Sequence, residues 1–233
     1  MLDIHSHFLP KMDDGSKSTE MSMQMLRESR RQGVTTIVST SHFYGDNDAP
    51  ERFLKRRQHA FNKLTPLISK DDPEILLGAE ILYYPGISHS ESITQLAIEG
   101  TDLILIEMPF VRWSDNIFDE LITFQYQTGL HVILAHVERY QGIQKHDVYE
   151  RLFDQPFYFQ CNAGAFTSFR SRRLALKLMD NDLLHFIGTD CHNTDKRPPN
   201  MHEAQKIVEK KLSPSEWRRF TRACTKRFNE HRI

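Results

Sequence analysis

The chain has 233 residues, 39% of them hydrophobic and 26% charged, which is enough apolar side chain for a single domain spanning 1–233. Thirty Lys and Arg against thirty-one Asp and Glu leave a net charge of −1, which argues against a nucleic-acid or membrane-surface binder. Three cysteines are too few for a disulfide framework, the opening MLDIHSHFLP lacks a basic-then-apolar leader, and no apolar run nears the roughly 20 residues of a membrane span; a cytoplasmic location is expected.

Along the chain, short apolar and β-branched runs alternate with longer amphipathic stretches. Strands are expected at 2–4, 34–39, 74–79, 102–106, 131–135, 157–161 and 185–188. Their near-continuous hydrophobicity suits a parallel sheet covered on both faces. Helices are expected at 18–32, 50–68, 88–98, 115–128, 168–179, 202–211 and 214–229. Gly33 and Gly129 are good terminators for the first and fourth of these, and Ser213-Pro214 reads as an N-cap followed by N1. Seven strand-then-helix units fit an α/β barrel better than an open doubly wound sheet, because of the residue types at the strand ends. The runs end in His5 and His7, His42, Glu80, Glu107, His136, Asn162, and Asp190 with His192. A barrel gathers its C-terminal strand ends on one face, where such folds keep their chemistry.

His5 and His7 lie two apart on a strand, so both side chains point the same way and can share an ion. Alone, that pair reads more simply as structural. Asp14, His42, Glu80, Glu107, His136, Asp190 and His192 change the balance, since they bring the set to nine imidazole and carboxylate ligands. One or two ions take four to six ligands each, so nine suit a three-metal cluster with at least one bridging carboxylate. Nitrogen and oxygen donors fit zinc, manganese or iron without choosing among them.

The motif D-I-H-S-H-x-L-P-x-x-D-D-G at 3–15 resembles the opening of the PHP (polymerase and histidinol phosphatase) superfamily. T-S-H at 40–42, G-A-E at 78–80, I-E-M-P at 106–109, A-H-V-E-R-Y at 135–140, N-A-G at 162–164 and G-T-D-C-H-N at 188–193 resemble its later motifs. Their order and spacing most closely resemble the bacterial CpsB/YwqE-type protein-tyrosine phosphatases of capsule and exopolysaccharide regulation. Ser41, Val137 and Cys191 stand where that pattern usually has Pro, Pro and Ala; none of these changes removes a ligand. The resemblance implies a distorted (β/α)7 TIM-like barrel with three divalent ions at the strand C-termini. It assigns His5, His7, Glu80 and Asp190 to one ion, bridging Glu80 with Glu107 and His136 to a second, and Asp14, His42 and His192 to a third. It further implies a phosphotyrosyl protein substrate, a bacterial tyrosine kinase tail, and it leaves a homo-oligomer open.

Three divalent ions against four carboxylates leave about two positive charges, a pocket that favours phosphate and lowers the pKa of a bridging water. Attack by that hydroxide on phosphorus would ensue, with Arg139 and Arg197 neutralising equatorial oxygens. No residue stands out as general acid, which an aryl leaving group needs least. Cys191 and Arg197 formally make C-x5-R, but the intervening His-Asn-Thr-Asp-Lys has no glycine and carries Asp195 against an anion. The basic run Arg52, Lys55, Arg56 and Arg57 reads first as a solvated helix face and second as a dock for an acidic tail or partner subunit. The competing functions are a small-molecule phosphatase of histidinol-phosphate or nucleotide type, and a catalytically silent binding module.

Overall fold

The computed structural model describes residues 1–114 and 116–233. Strand β1 (Leu2–Ser6) leads to helix α1 (Thr19–Arg31), which the Ser18 side chain caps by accepting the Met21 N–H at 3.2 Å. Gly33 ends that helix at φ 83°, a left-handed conformation a side chain would strain. Strands β2 (Thr36–Ser39) and β3 (His42–Tyr44) come next, then helix α2 (Pro50–Leu64) with Pro50 in its first turn. The expected helix over 50–68 is shorter in α-form. Pro66 cannot supply an N–H, so the chain tightens into a 3-10 turn over Thr65–Leu67.

Strands β4 (Glu74–Leu77), β5 (Glu80–Leu82) and β6 (Leu103–Glu107) precede helix α3 (Asn116–Thr128). Asp115, the expected first residue of that helix, lies outside the described residues. The helix expected over 88–98 is instead two 3-10 segments, Ile87–His89 and Glu91–Leu96. Serines at 88, 90 and 92 and the β-branched pair Ile93-Thr94 disfavour the wider α-turn there. After β7 (His131–Leu134) the short helix α4 (His146–Leu152) has no counterpart among the expected helices. Strand β8 (Tyr158–Asn162) runs directly into α5 (Ala163–Thr167), and the helix expected over 168–179 is α6 (Arg172–Asp180). Strand β9 (Phe186–Gly188), α7 (Met201–Lys211) and α8 (Pro214–Glu230) complete the chain; the Ser213 side chain caps α8 by accepting the Glu216 N–H at 3.1 Å.

All named strand pairs are parallel, in two sheets ordered β1-β2-β4 and β3-β5-β6-β7-β8-β9. No closed sheet forms among the described residues, which differs from the seven-stranded barrel expected. The expected strands at 34–39 and 74–79 are β2 and β4, and each is followed, after a break at Thr40-Ser41 or Gly78-Ala79, by a short strand that was not expected, β3 or β5, so seven expected strands become nine in two sheets. Backbone hydrogen bonds span these breaks: Thr40 N–H to Ser6 O at 2.8 Å, Gly78 N–H to Ser39 O at 2.8 Å and Glu80 N–H to Ser41 O at 3.1 Å. Beside β1 the segment just past β9 makes an isolated bridge, Ser6 with Cys191, flanked by Asp190 N–H to His5 O at 2.7 Å and His7 N–H to Cys191 O at 2.9 Å.

Both faces of the central strands are covered, as the five buried residues of β6 show. Phe43 and Phe53 pack edge to face behind β3, and Phe159, Phe166 and Phe186 are buried under β8 and β9. Among the described residues no helix is long and apolar enough to cross a membrane.

Candidate metal centre

The nine ligand-type residues converge on one cluster where strands meet their adjoining loops. His5 is the penultimate residue of β1 with His7 just beyond the strand, Asp14 sits in the next loop, His42 opens β3 and Glu80 opens β5. Glu107 closes β6, His136 lies just past β7, and Asp190 and His192 lie just past β9. Glu80 is the hub. Its Oε2 lies 3.3 Å from His5 Nε2, 3.2 Å from His7 Nε2 and 2.9 Å from His42 Nδ1, while its Oε1 lies 2.9 Å from His136 Nε2. Glu107 Oε1 approaches the same His136 nitrogen at 3.2 Å. Asp190 Oδ1 faces His5, His7 and His192 nitrogens at 3.7, 3.4 and 3.6 Å. Asp14 Oδ1 faces His42 Nε2 and His192 Nε2 at 3.4 and 3.3 Å.

Ligand atoms within 4.8 Å of one another fall into three groups at this centre: His7, Asp14, His42 and His192; His5, His7 and Asp190; and His42, Glu80 and Glu107. His42 therefore joins the group in which the motif resemblance places His136, although His136 touches both carboxylates of that group. The cluster is buried on the strand side and open at Asp14, whose side chain is 64% exposed.

These donors suit divalent cations on their own geometry. His5 Nε2 and His7 Nε2 face each other at 3.1 Å, two nitrogens that a shared positive centre would satisfy. Glu80 Oε2, His42 Nδ1 and His192 Nε2 are buried without a well-formed hydrogen bond. Burial opposes the charged form of Glu80, but the surrounding imidazoles, His5 foremost, hold its carboxyl well below the usual range. Burial likewise opposes a charged His7 ring, yet Asp13 and Glu80 outweigh it and hold its pKa up to about 10. The carboxylates thus demand positive charge, which protons or metal ions can supply.

A set of neighbours, of which the sequence had marked only Asn162 at the end of its run, aims the ligands. Asp13 accepts the His7 Nδ1–H at 2.8 Å, leaving Nε2 for the cluster, and also accepts the Gly15 and His42 N–H groups at 2.9 and 3.0 Å. A Cβ at Gly15 would lie 2.2 Å from the His7 carbonyl oxygen, so only glycine lets this loop close. Asp3 accepts the Thr189 N–H at 2.8 Å and its hydroxyl at 2.6 Å, tying β1 to the segment after β9; burial lifts its pKa to about 6. Gln160 Oε1 accepts the His136 N–H at 2.7 Å, and Asn162 Nδ2 donates to Asp190 Oδ2 at 2.7 Å. His136 and Asp190 themselves sit at φ 33° and 52°, strained for non-glycine residues and concentrated at the site.

At the rim, Arg139 and Arg197 donate to Asp190 Oδ2 at 2.6 and 2.8 Å. Two exposed aromatic rings flank the centre: Phe110 stacked on His136 at 5.8 Å and Tyr44 stacked on His42 at 5.6 Å. A cleft of about 700 Å³ runs from Asp14 and His42 past Tyr44 and Asn47 to Arg52 and Arg56 on α2.

A family model described as capsular polysaccharide synthesis, CpsB/CapC, matches residues 1–227. The chain belongs to the CpsB/CapC family. It is 34% identical over 223 residues to the tyrosine-protein phosphatase CpsB of Streptococcus pneumoniae, covering 91% of this chain and 90% of that protein. It is 31% identical over 222 residues to the tyrosine-protein phosphatase YwqE of Bacillus subtilis, covering 91% of this chain and 85% of that one. A crystal structure from work on YwqE of B. subtilis and CpsB of S. pneumoniae, described as unique metal-dependent tyrosine phosphatases, superposes with a TM-score of 0.84. It shares 25% identity and covers all of this chain and 96% of the other. A β-aspartyl dipeptidase from Fervidobacterium islandicum shares the fold at a TM-score of 0.54 and 13% identity.

Within this CpsB/CapC chain the C-x5-R spacing does not make a nucleophile. Cys191 is fully buried, and burial followed by the nearby Asp3 charge pushes its thiol far above the usual range. The basic run on α2 divides. Arg52 and Arg56 pair with Asp48 at the cleft, whereas Arg57 is buried and donates to Gly78 O at 2.8 Å, holding the break between β4 and β5. Arg57 is therefore structural, not part of a solvated face or dock.

Proposed function

We propose that this chain is a metal-dependent phosphatase that hydrolyses phosphotyrosine on proteins within capsule or exopolysaccharide regulation. The observation that carries the reading is the nine-residue nitrogen and oxygen cluster, open at Asp14, with two arginines and two aromatic rings at its rim. The tyrosine-protein phosphatase activities for which the S. pneumoniae and B. subtilis relatives are named support it.

The cluster would hold three divalent ions, manganese, iron or zinc. His5, His7, Glu80 and Asp190 serve one, Glu80, Glu107 and His136 a second, and Asp14, His42 and His192 the third. Bound ions supply Lewis acidity at phosphate oxygens and a water acidified towards neutral pH. The protein's own groups bind and orient. Arg139 and Arg197 transfer part of their hydrogen bonding from Asp190 to the non-bridging phosphate oxygens. Phe110 and Tyr44 take the tyrosyl ring by its faces. A phenol leaves at a pKa near 10, so the site needs no strong general acid. In this reading the two sheets are halves of a distorted (β/α)7 barrel that forms one domain over 1–233. It works in the cytoplasm on the tail of a bacterial tyrosine kinase, as a monomer or a homo-oligomer.

The test is a rate comparison on metal-reconstituted protein. Phosphotyrosyl peptides should exceed phosphoseryl peptides in kcat/KM by about tenfold or more, a gap of ~1.4 kcal/mol in transition-state stabilisation. Chelation should abolish both. Full activity without metal overturns the metal centre, and equal rates on the two peptides, or a much higher rate on histidinol phosphate, move the chain to a small-molecule phosphatase.

A further inference from the structure

A second group of ligand-type side chains lies at the opposite, N-terminal ends of the strands. Asp102 precedes β6, His131 opens β7 and His231 caps the C-terminus of α8. The backbone brings these three segments together. Parallel register pairs Leu103 with His131, and the His131 N–H donates to Asp102 O at 2.8 Å. The Asp102 N–H donates to His231 O at 3.1 Å, and the Ile233 N–H to Gly100 O at 3.0 Å. The side chains then converge. His231 Nδ1 lies 2.6 Å from Asp102 Oδ1, His131 Nε2 lies 3.7 Å from Asp102 Oδ2, and the two imidazole rings are 4.5 Å apart.

We propose that Asp102, His131 and His231 form a separate binding site for one zinc ion, which ties the C-terminal segment to the sheet. Two imidazoles and a carboxylate are a donor set that zinc accepts, with water in the fourth position. Ligand bonds of roughly 2.0–2.2 Å at tetrahedral angles place donor atoms about 3.4 Å apart. The three ligand atoms already lie within 4.8 Å of one another, so capture needs only small side-chain shifts. The His231 ring is also held as metal-bound imidazoles are. Its Nε2 lies 2.8 Å from the Tyr158 hydroxyl, which leaves Nδ1 for the ion. His131 is 48% exposed, which gives both an entry path and room for the water. Strands β6 and β7 separate this site from Glu107 and His136 by roughly 15 Å, too far to share an ion with the main centre.

The experiment strips the full chain with chelator, reloads it with zinc, removes excess by gel filtration and counts zinc by elemental analysis. Wild-type protein should retain one equivalent more than His131→Ala and one more than Asp102→Asn. Tyr158→Phe should weaken that last equivalent about tenfold to a hundredfold. Zinc should raise the thermal midpoint of wild type more than that of either ligand variant. The His131→Ala protein, reconstituted with metal at the main centre, should keep wild-type turnover on phosphotyrosyl peptide. Equal zinc equivalents in wild type, His131→Ala and Asp102→Asn overturn the site. Because the readout is a difference between wild type and variants, failure of the phosphatase reading would leave it unchanged.

Discussion

Arg139 and Arg197 donate to one and the same oxygen, Oδ2 of Asp190, at 2.6 and 2.8 Å. The other oxygen of that carboxylate faces His5 and His7, so Asp190 joins the arginine rim to the ligand cluster. Two guanidinium groups on one carboxylate leave net positive charge where an anion would enter. Both side chains are more than a third exposed, so they can turn towards a ligand. Arg139→Ala and Arg197→Ala should each lower kcat/KM on a phosphotyrosyl peptide by roughly a hundredfold while metal content stays at the wild-type value. The double variant should cost less than the product of the two, because the pair acts as a unit. Metal loss in either single variant would reassign that arginine to holding Asp190.

Asp13 is expected to act through His7. Asp13→Asn removes the charge that accepts the His7 Nδ1–H, and with it the preference that leaves Nε2 for the cluster. Metal affinity should drop about tenfold to a hundredfold, and added metal should restore kcat. His7→Ala should not be rescued in this way. Titration of activity against metal concentration separates the two outcomes.

Cys191→Ser should retain most activity, and iodoacetamide should leave the wild type active. The thiol is buried and held protonated at neutral pH, so no thiolate is available to attack phosphorus. A dead Cys191→Ser protein with intact metal content would require a different nucleophile from the one inferred.

Phe110 offers an exposed ring face beside His136. Phe110→Ala should raise KM for phosphotyrosyl peptides about twofold to tenfold, the worth of one aromatic pair, with kcat little changed. Phosphoseryl peptides, which lack the ring, should respond less. The comparison of the two KM ratios is the measurement.

Much of the site could be read from the chain because ligand chemistry restricts residue type. Imidazole and carboxylate suit the divalent ions proposed, and their recurrence after six of the seven apolar runs marked His5, His7, His42, Glu80, Glu107, His136, Asp190 and His192. Asp14 stood among the nine candidates and Asp13 did not, although adjacent aspartates look alike in sequence. Their difference arises from the loop that Gly15 closes, which buries Asp13 against His7 and leaves Asp14 exposed beside His42 and His192.

The sequence by itself therefore determined what is local: alternation of strand and helix, the cap at Ser213, and the ligand types beside the strands. These arise from periodicity and side-chain chemistry, which need only near neighbours. The features that only the tertiary structure decided depend on partners far along the chain. The strands break at Thr40-Ser41 and Gly78-Ala79, where the buried Arg57 holds Gly78 O from α2. Arg139 and Arg197, 58 residues apart in number, meet on Asp190 because β7 and the segment after β9 end on the same side of the sheet. Asp102, His131 and His231 meet at its other end because the C-terminal segment hydrogen-bonds beside β6. Long-range contacts of this kind are set by packing and backbone pairing, and no window of sequence contains both partners.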